Sequence, residues 1–237
     1  MVNVFSFCLY GPYNTRYYQG LLENIFLSGK YFPTWKVYVY YAPDVEESTI
    51  THLQACTSVV LRPTGELGSI NMIHRFFAID EPDVELMMVR DADSRIHWKD
   101  RWAIREFVNS DKLVHTIRDN IVHNAKLMGG LWGMKKSAGI SIHHEYEIFK
   151  NNKYESILGM DQEFLGNVIY PKIKNILLVH YSNHRFAKDE YAVEFPFEWT
   201  NDIYCGRVET NFIDRPQPKV DRLHLPIVYT RVRDDKK

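Results

Sequence analysis

The apolar positions of this chain alternate between two rhythms: short runs suited to strands buried on both faces, and longer stretches with helical spacing. Val2 to Tyr10 is a β-branched and aromatic run ended by Gly11-Pro12, which predicts a strand and a turn. Tyr18, Leu21, Leu22, Ile25 and Phe26 then recur along one helix face, behind a cap at Asn14 or Thr15, until Ser28-Gly29 ends it. Trp35 to Pro43 reads as a second strand, Glu46 to Cys56 as a helix, and Ser58 to Arg62 as a third strand stopped by Pro63. After a loop at Gly65 to Ser69 comes a helix-like piece, Ile70 to Ile79. Val84 to Val89 (VELMMV) is the clearest buried strand, and RDADSR, Arg90 to Arg95, follows it directly. Strands alternating with helices predict an α/β fold with a mostly parallel sheet and right-handed crossovers. Ligands of such sheets bind beyond the carboxyl ends of the strands, where Arg90 to Arg95 falls.

The second half is less regular. Lys99 to Asn109 predicts a helix, Lys112 to Arg118 a strand, and Leu127 to Met134 (LMGGLWGM) a glycine-rich apolar segment. Met160 to Ile169 reads as a helix stopped by Pro171, and Ile176 to His180 as another strand. From Asp214 the chain is Pro-rich and charged, and Arg233 to Lys237 should fray. The expected organisation is a single domain over 1–213 and a tail over 214–237.

Composition narrows the partners. With 29 basic and 30 acidic residues among 237 the net charge is -1, so there is no global field to draw nucleic acid or anionic lipid, and any phosphate site must be local. No basic stripe with interleaved aromatics argues for nucleic acid. Cys8, Cys56 and Cys205 are odd in number and lack a CxxC pair, which favours a reducing compartment over a disulfide framework. The first residues read as a strand and not as a signal peptide, and no run approaches the roughly 18 to 20 apolar residues of a membrane span. A cytoplasmic setting is the expectation.

Asp91 and Asp93 leave a strand on one short turn, separated only by Ala92. Carboxylates so placed suit a hard divalent cation, Mn²⁺ or Mg²⁺, shared with substrate phosphates. Two like charges this close also call for a basic neighbour, and Arg90 and Arg95 flank them. A solvated turn capping the next helix is the plainer alternative. His143-His144-Glu145 looks like a ligand cluster, yet adjacent histidines point apart, so it reads as surface. Gly129-Gly130 would let backbone approach a ligand, with Trp132 either a stacking face or part of a tight apolar turn. The spacing is neither GxGxxG nor a P-loop.

RDADSR, GGLWG, DQEFL at Asp161 to Leu165 and a strand ending in VHYS, in this order behind a βαβαβ start, resemble the GT-A fold glycosyltransferases. The style is that of small single-domain enzymes of large algal DNA viruses and some bacteria, and if the chain is virus-encoded its setting would be the host cytoplasm. The resemblance implies a Rossmann-like βαβ nucleotide-sugar half over about 1–98 and an acceptor half over about 99–213, sharing a mixed central sheet. It also implies transfer of a hexose or deoxyhexose from a nucleoside-diphosphate donor, UDP-linked by preference, to a glycan hydroxyl. Asp91 would contact the donor ribose or a metal-bound water, and Asp93 would ligate Mn²⁺ or Mg²⁺. His180 would be a third ligand, with His184 its rival. Asp161 would act as the base of an inverting enzyme or as a donor-sugar contact in a retaining one; helix capping is its bland role. Leu9 and Tyr10 at the end of the first strand, and Arg62 after the third, would sit by base and ribose. Arg75 would reach the diphosphate or sugar, and Arg90, Ala92, Gly130, Trp132 and Gln162 complete the expected donor contacts. The competing readings are a Mg²⁺-dependent phosphohydrolase using the same DxD, and a non-catalytic carbohydrate or nucleotide-sugar binding module.

Overall fold

The computed structural model describes residues 1–151, 159–182, 190–200 and 203–208. The first half follows the predicted alternation: β1 (Val2–Leu9), α1 (Thr15–Tyr31), β2 (Lys36–Tyr41), α2 (Glu47–Gln54), β3 (Val59–Pro63), a 3-10 segment (Gly68–Asp80) and β4 (Val84–Arg90). Then come α3 (Trp98–Asn109), β5 (Val114–Arg118), β6 (Leu131–Lys135), α4 (Ile142–Asn151), α5 (Met160–Phe164), α6 (Tyr170–Ile173), β7 (Leu177–Tyr181) and β8 (Tyr191–Glu194). One eight-stranded sheet, ordered β3-β2-β1-β4-β6-β5-β7-β8, runs through both halves. β3, β2, β1 and β4 are parallel, β6 lies antiparallel between β4 and β5, and β5, β7 and β8 are again parallel.

Successive residues of each strand face opposite layers. Val4, Met87, Val89 and Trp132 pack with Phe76, Tyr146 and Phe164, on the side of the 3-10 segment, α4 and α5. Phe5, Phe7, Leu86 and Met88 pack with Leu21, Ile25, Ile104 and Phe107 of α1 and α3 on the other. The same alternation sends Arg90 toward α3 and leaves the first aspartate after it free to face the opposite way.

Three elements depart from the sequence expectation. β6 is a buried strand where only a glycine-rich segment is expected; Gly133 is there because a Cβ would overlap Met87 O and Met88 Sδ of β4. Residues 142–151 form a helix whose apolar side, Ile142, Tyr146 and Phe149, has i, i+4, i+7 spacing, while His143 and His144 stay exposed, in keeping with their reading as surface. Pro171 does not end its helix: a π-helical turn over Leu165–Ile169 widens the ladder just before it, where the missing N–H and the ring would otherwise interrupt it. Among the described residues no helix is long and apolar enough to cross a membrane. The expected C-terminal tail lies outside the described residues.

Candidate active site

The Asp91–Asp93 turn is held by the first helix. Asn24 of α1 donates from Nδ2 to Ser94 O at 2.7 Å and accepts from Ile96 N at 2.9 Å, which closes the strand-to-helix loop like a missing backbone pair. Arg95 bonds Glu23 Oε2 at 2.5 Å. Gly20 lies so near that a Cβ would overlap Ala92 O. A glycine inside a helix costs roughly 1 kcal/mol relative to alanine, so one here signals close packing, and Gly20 is the sequence mark of this contact that the motif reading passed over. Ser94 turns back on the loop: its Oγ donates to Asp91 O at 3.0 Å.

Each aspartate has its own arginine. Arg75 Nη1 bonds Asp91 Oδ1, and Nη2 lies 3.5 Å from Asp161 Oδ2, so one guanidinium joins the end of β4 to the start of α5. Arg75 is nearly enclosed, and its own carbonyl accepts from Ser6 Oγ of β1 at 2.6 Å. Asp93 Oδ2 accepts both Nε (2.8 Å) and Nη2 (2.5 Å) of Arg16, a residue absent from the sequence expectation. Nothing in the sequence marks Arg16, since its partner is on a distant strand end.

Between these groups opens a cavity of about 390 Å³ lined by Tyr10, Arg75, Asp91, Gly129, Gly130, Asp161 and Gln162 among others, with Met72, Met128 and Met160 as its apolar wall. Gln162 Oε1 accepts from Gly129 N at 2.7 Å and its Nε2 donates to Leu127 O at 2.8 Å, so this amide sets the glycine loop. A Cβ on Gly130 would overlap Asp91 Oδ2; the glycine is a cradle for that carboxylate. Oxygen donors only, on a turn with open space beside Asp91, fit a hard divalent cation. The Cys8 thiol near Arg75 is pushed up to about 12 by burial, which removes it as a nucleophile.

The structure thus brings together Tyr10, Arg75, Asp91, Gly130, Asp161 and Gln162, while Asp93, on the same turn, is held by Arg16 and does not line the cavity. Leu9 and Ala92 are buried and do not line the cavity: Leu9 O accepts from Ala42 N at 3.0 Å, and Ala92 O is turned toward Asn24 and Gly20 of α1. Four more expected residues lie elsewhere. Arg62 pairs with Glu81 at 2.8 Å over the Tyr38 ring and does not line the cavity. Arg90 is enclosed on the α3 face, bonded to Asp100 at 3.0 Å, because it ends a strand whose alternation points it away from Asp91. Trp132 is fully buried edge-on to Phe76 and offers no face to a sugar. His180 is fully buried too, its Nδ1 2.8 Å from His115 Nε2, and burial pushes it down to about 3. β7 is three strand spacings from β4, about 14 Å, so His180 does not join the aspartates. His184 lies outside the described residues.

Behind the turn, on the α3 side, sits a second polar group. Asp119 accepts from Lys99 Nζ (2.6 Å), Ser182 Oγ (2.5 Å) and Cys205 N (2.9 Å), a buried charge fully hydrogen-bonded. His97, Asp100 and Cys205 bring ligand atoms within 4.8 Å of one another. Arg90 already holds one Asp100 oxygen, and burial keeps the Cys205 thiol well above its usual value. That group is a buried His–Asp–Cys set with its thiol protonated, whereas the Asp91–Asp93 turn offers carboxylate oxygens alone, one of each pair held by Arg75 or Arg16, and oxygen donors are the better match to a hard cation.

No protein-family model and no curated protein matches this chain. Solved structures do. The galactosyltransferase LgtC in complex with donor and acceptor sugar analogues superposes with a TM-score of 0.51 at 11% identity, covering 75% of this chain and 73% of that one. S. aureus TarS 1–349 in complex with UDP-GlcNAc gives 0.49 at 12%, over 78% and 60%. A glycosyltransferase involved in glycosylation of the major capsid of PBCV-1 gives 0.48 at 15%, over 76% and 81%. At such identities the likeness is one of fold, and the fold is α/β of the GT-A type with a mixed eight-stranded sheet.

Proposed function

We propose that this chain is a metal-dependent glycosyltransferase that moves a hexose or deoxyhexose from a nucleoside-diphosphate sugar, UDP-linked by preference, to a hydroxyl of a glycan acceptor. The observation that carries the reading is the Asp91–Arg75–Asp161 chain at the rim of a sugar-sized cavity, beside Asp93 on the same strand-end turn. Asp91 and Asp93 would hold Mn²⁺ or Mg²⁺. The ion, when bound, offsets charge on the departing nucleoside diphosphate. This chain's own residues do the rest. Tyr10, at the cavity rim, takes the nucleoside side. Gln162 fixes Gly129 and Gly130 so that backbone can approach the donor sugar. Asp161, oriented by Arg75, lies at the sugar, as base toward the acceptor hydroxyl or as a donor contact.

Thermal unfolding of the full chain with UDP, GDP, CMP or ADP, each with and without Mn²⁺, tests this. A nucleotide at a hundred times its Kd adds about 2.7 kcal/mol to the folded state, a shift of several degrees for a domain of this size. The expected result is stabilisation by UDP only with metal, lost in Asp93→Ala. No response to any nucleotide, together with phosphate-ester hydrolysis in the absence of a sugar donor, would replace the transferase with a hydrolase.

A further inference from the structure

The two arginines on the aspartate turn are not equivalent. Arg75 has a side chain 5% exposed, is anchored through its backbone to Ser6, and bonds two carboxylates. Arg16 has a side chain 46% exposed and sits in the first turn of α1 over the Tyr17 ring. Its Nε and Nη2 both converge on one oxygen, Asp93 Oδ2. Asp93 itself is nearly buried, at 8%. An anion in that position needs a counter-charge, and Arg16 supplies it from the solvent side.

We propose that Arg16 is a positioning residue that holds Asp93 while no divalent cation is bound, and that passes to the donor's diphosphate once a cation takes its place. The inference rests on the reading of Asp91 and Asp93 as the cation site. A divalent ion bonded to Asp93 Oδ2 at about 2.1 Å would take the one oxygen that both Arg16 nitrogens use, so ion and fork compete for it, whereas Arg75 holds Asp91 through Oδ1 and leaves its other oxygen to a ligand. Of the two guanidiniums only Arg16 has room to leave. A nucleoside diphosphate arriving with the cation offers phosphate oxygens, which a planar guanidinium fork binds in pairs. Arg16 therefore opposes the cation alone and favours the cation together with the diphosphate. This makes the two ligands bind as a set.

The test is calorimetric titration of the full chain with Mn²⁺ alone, then with UDP at saturating Mn²⁺, for the wild type, Arg16→Gln, Arg16→Lys and Asp93→Ala. Arg16→Gln should bind Mn²⁺ alone at least five-fold tighter and UDP in the presence of Mn²⁺ at least ten-fold weaker. Arg16→Lys, which keeps the charge without the fork, should fall between wild type and Arg16→Gln in both. A purely structural arginine would weaken both ligands together. Unchanged or weaker Mn²⁺ binding in Arg16→Gln overturns the exchange, and unchanged UDP binding overturns the diphosphate contact. Asp93→Ala separates this from the parent reading: if it still binds Mn²⁺ as well as the wild type, the cation site itself is misassigned.

Discussion

Gly130 and Asp91 occupy adjoining space so tightly that a methyl group on the glycine would overlap the aspartate's Oδ2. The carboxylate is thus aimed by an absence of side chain on the neighbouring β6 entrance, as much as by its bond to Arg75. Gly130→Ala should push Asp91 off its position and weaken Mn²⁺-dependent UDP binding by tenfold or more, about 1.4 kcal/mol, measured by titration. Wild-type affinity in a folded Gly130→Ala protein would show that Asp91 does not need this cradle.

Arg75 is a buried cation with two carboxylate partners. Arg75→Gln strands the buried Asp161, while Asp91, with a side chain 44% exposed, keeps solvent, so stability should fall by about 3 kcal/mol, the low end for a broken buried pair, read from the urea midpoint. Adding Asp161→Asn should recover part of that loss by removing one stranded charge. A double variant no more stable than the single one would mean that the 3.5 Å approach of Arg75 to Asp161 carries no ion pairing.

The closeness of α1 to the aspartate turn predicts a stability cost at a site far from the cavity in sequence. Gly20→Ala must displace Ala92 O or Arg95. Despite the better helix propensity of alanine, it should destabilise by about 1–3 kcal/mol. A rise in Tm would show that the contact relaxes freely.

Buried imidazoles act on the acid side of stability. Burial pushes His180 down to about 3, His123 to about 4 and His115, bonded to His180, well below its usual value, so all three are neutral in the folded protein and protonate below about 6.5 in the unfolded chain. The unfolded state then binds more protons, and stability is complete above pH 6.5 and falls as pH drops toward 4. Each imidazole should contribute a slope of about 1.4 kcal/mol per pH unit across that window, read as urea midpoints from pH 7.5 to 5. A flat profile there would mean that the folded state accepts these protons.

The first half of the fold was legible because its strands are buried on both faces and its helices are amphipathic, two patterns that periodicity separates well. β6 was not, since Gly129, Gly130 and Gly133 in LMGGLWGM look like a loop until β4 is seen pressed against them. At the site, Asp91, Arg75, Asp161 and Gln162 line one cavity, since each stands at or near the end of a strand or helix that the sequence predicts. Arg90, Trp132 and His180 misled because side-chain direction depends on strand alternation and on which layer covers each face. Arg16 and Asn24 were invisible for the opposite reason: they matter only through a contact between α1 and a loop some seventy residues on, as their spans of |i−j| = 77 and 70 show.

The anchoring of residues 91–96 by Gly20, Glu23 and Asn24 ties the working turn to a helix that covers the sheet rather than to the sheet's own ladder. A helix can undock while strands remain paired, because local opening needs less free energy than global unfolding. α1 also buries Leu21 and Leu27 in the core it shares with Phe5 and Phe7, so loosening it gives up apolar burial along with the turn. The shape of residues 91–96 thus depends on how firmly one early helix stays seated.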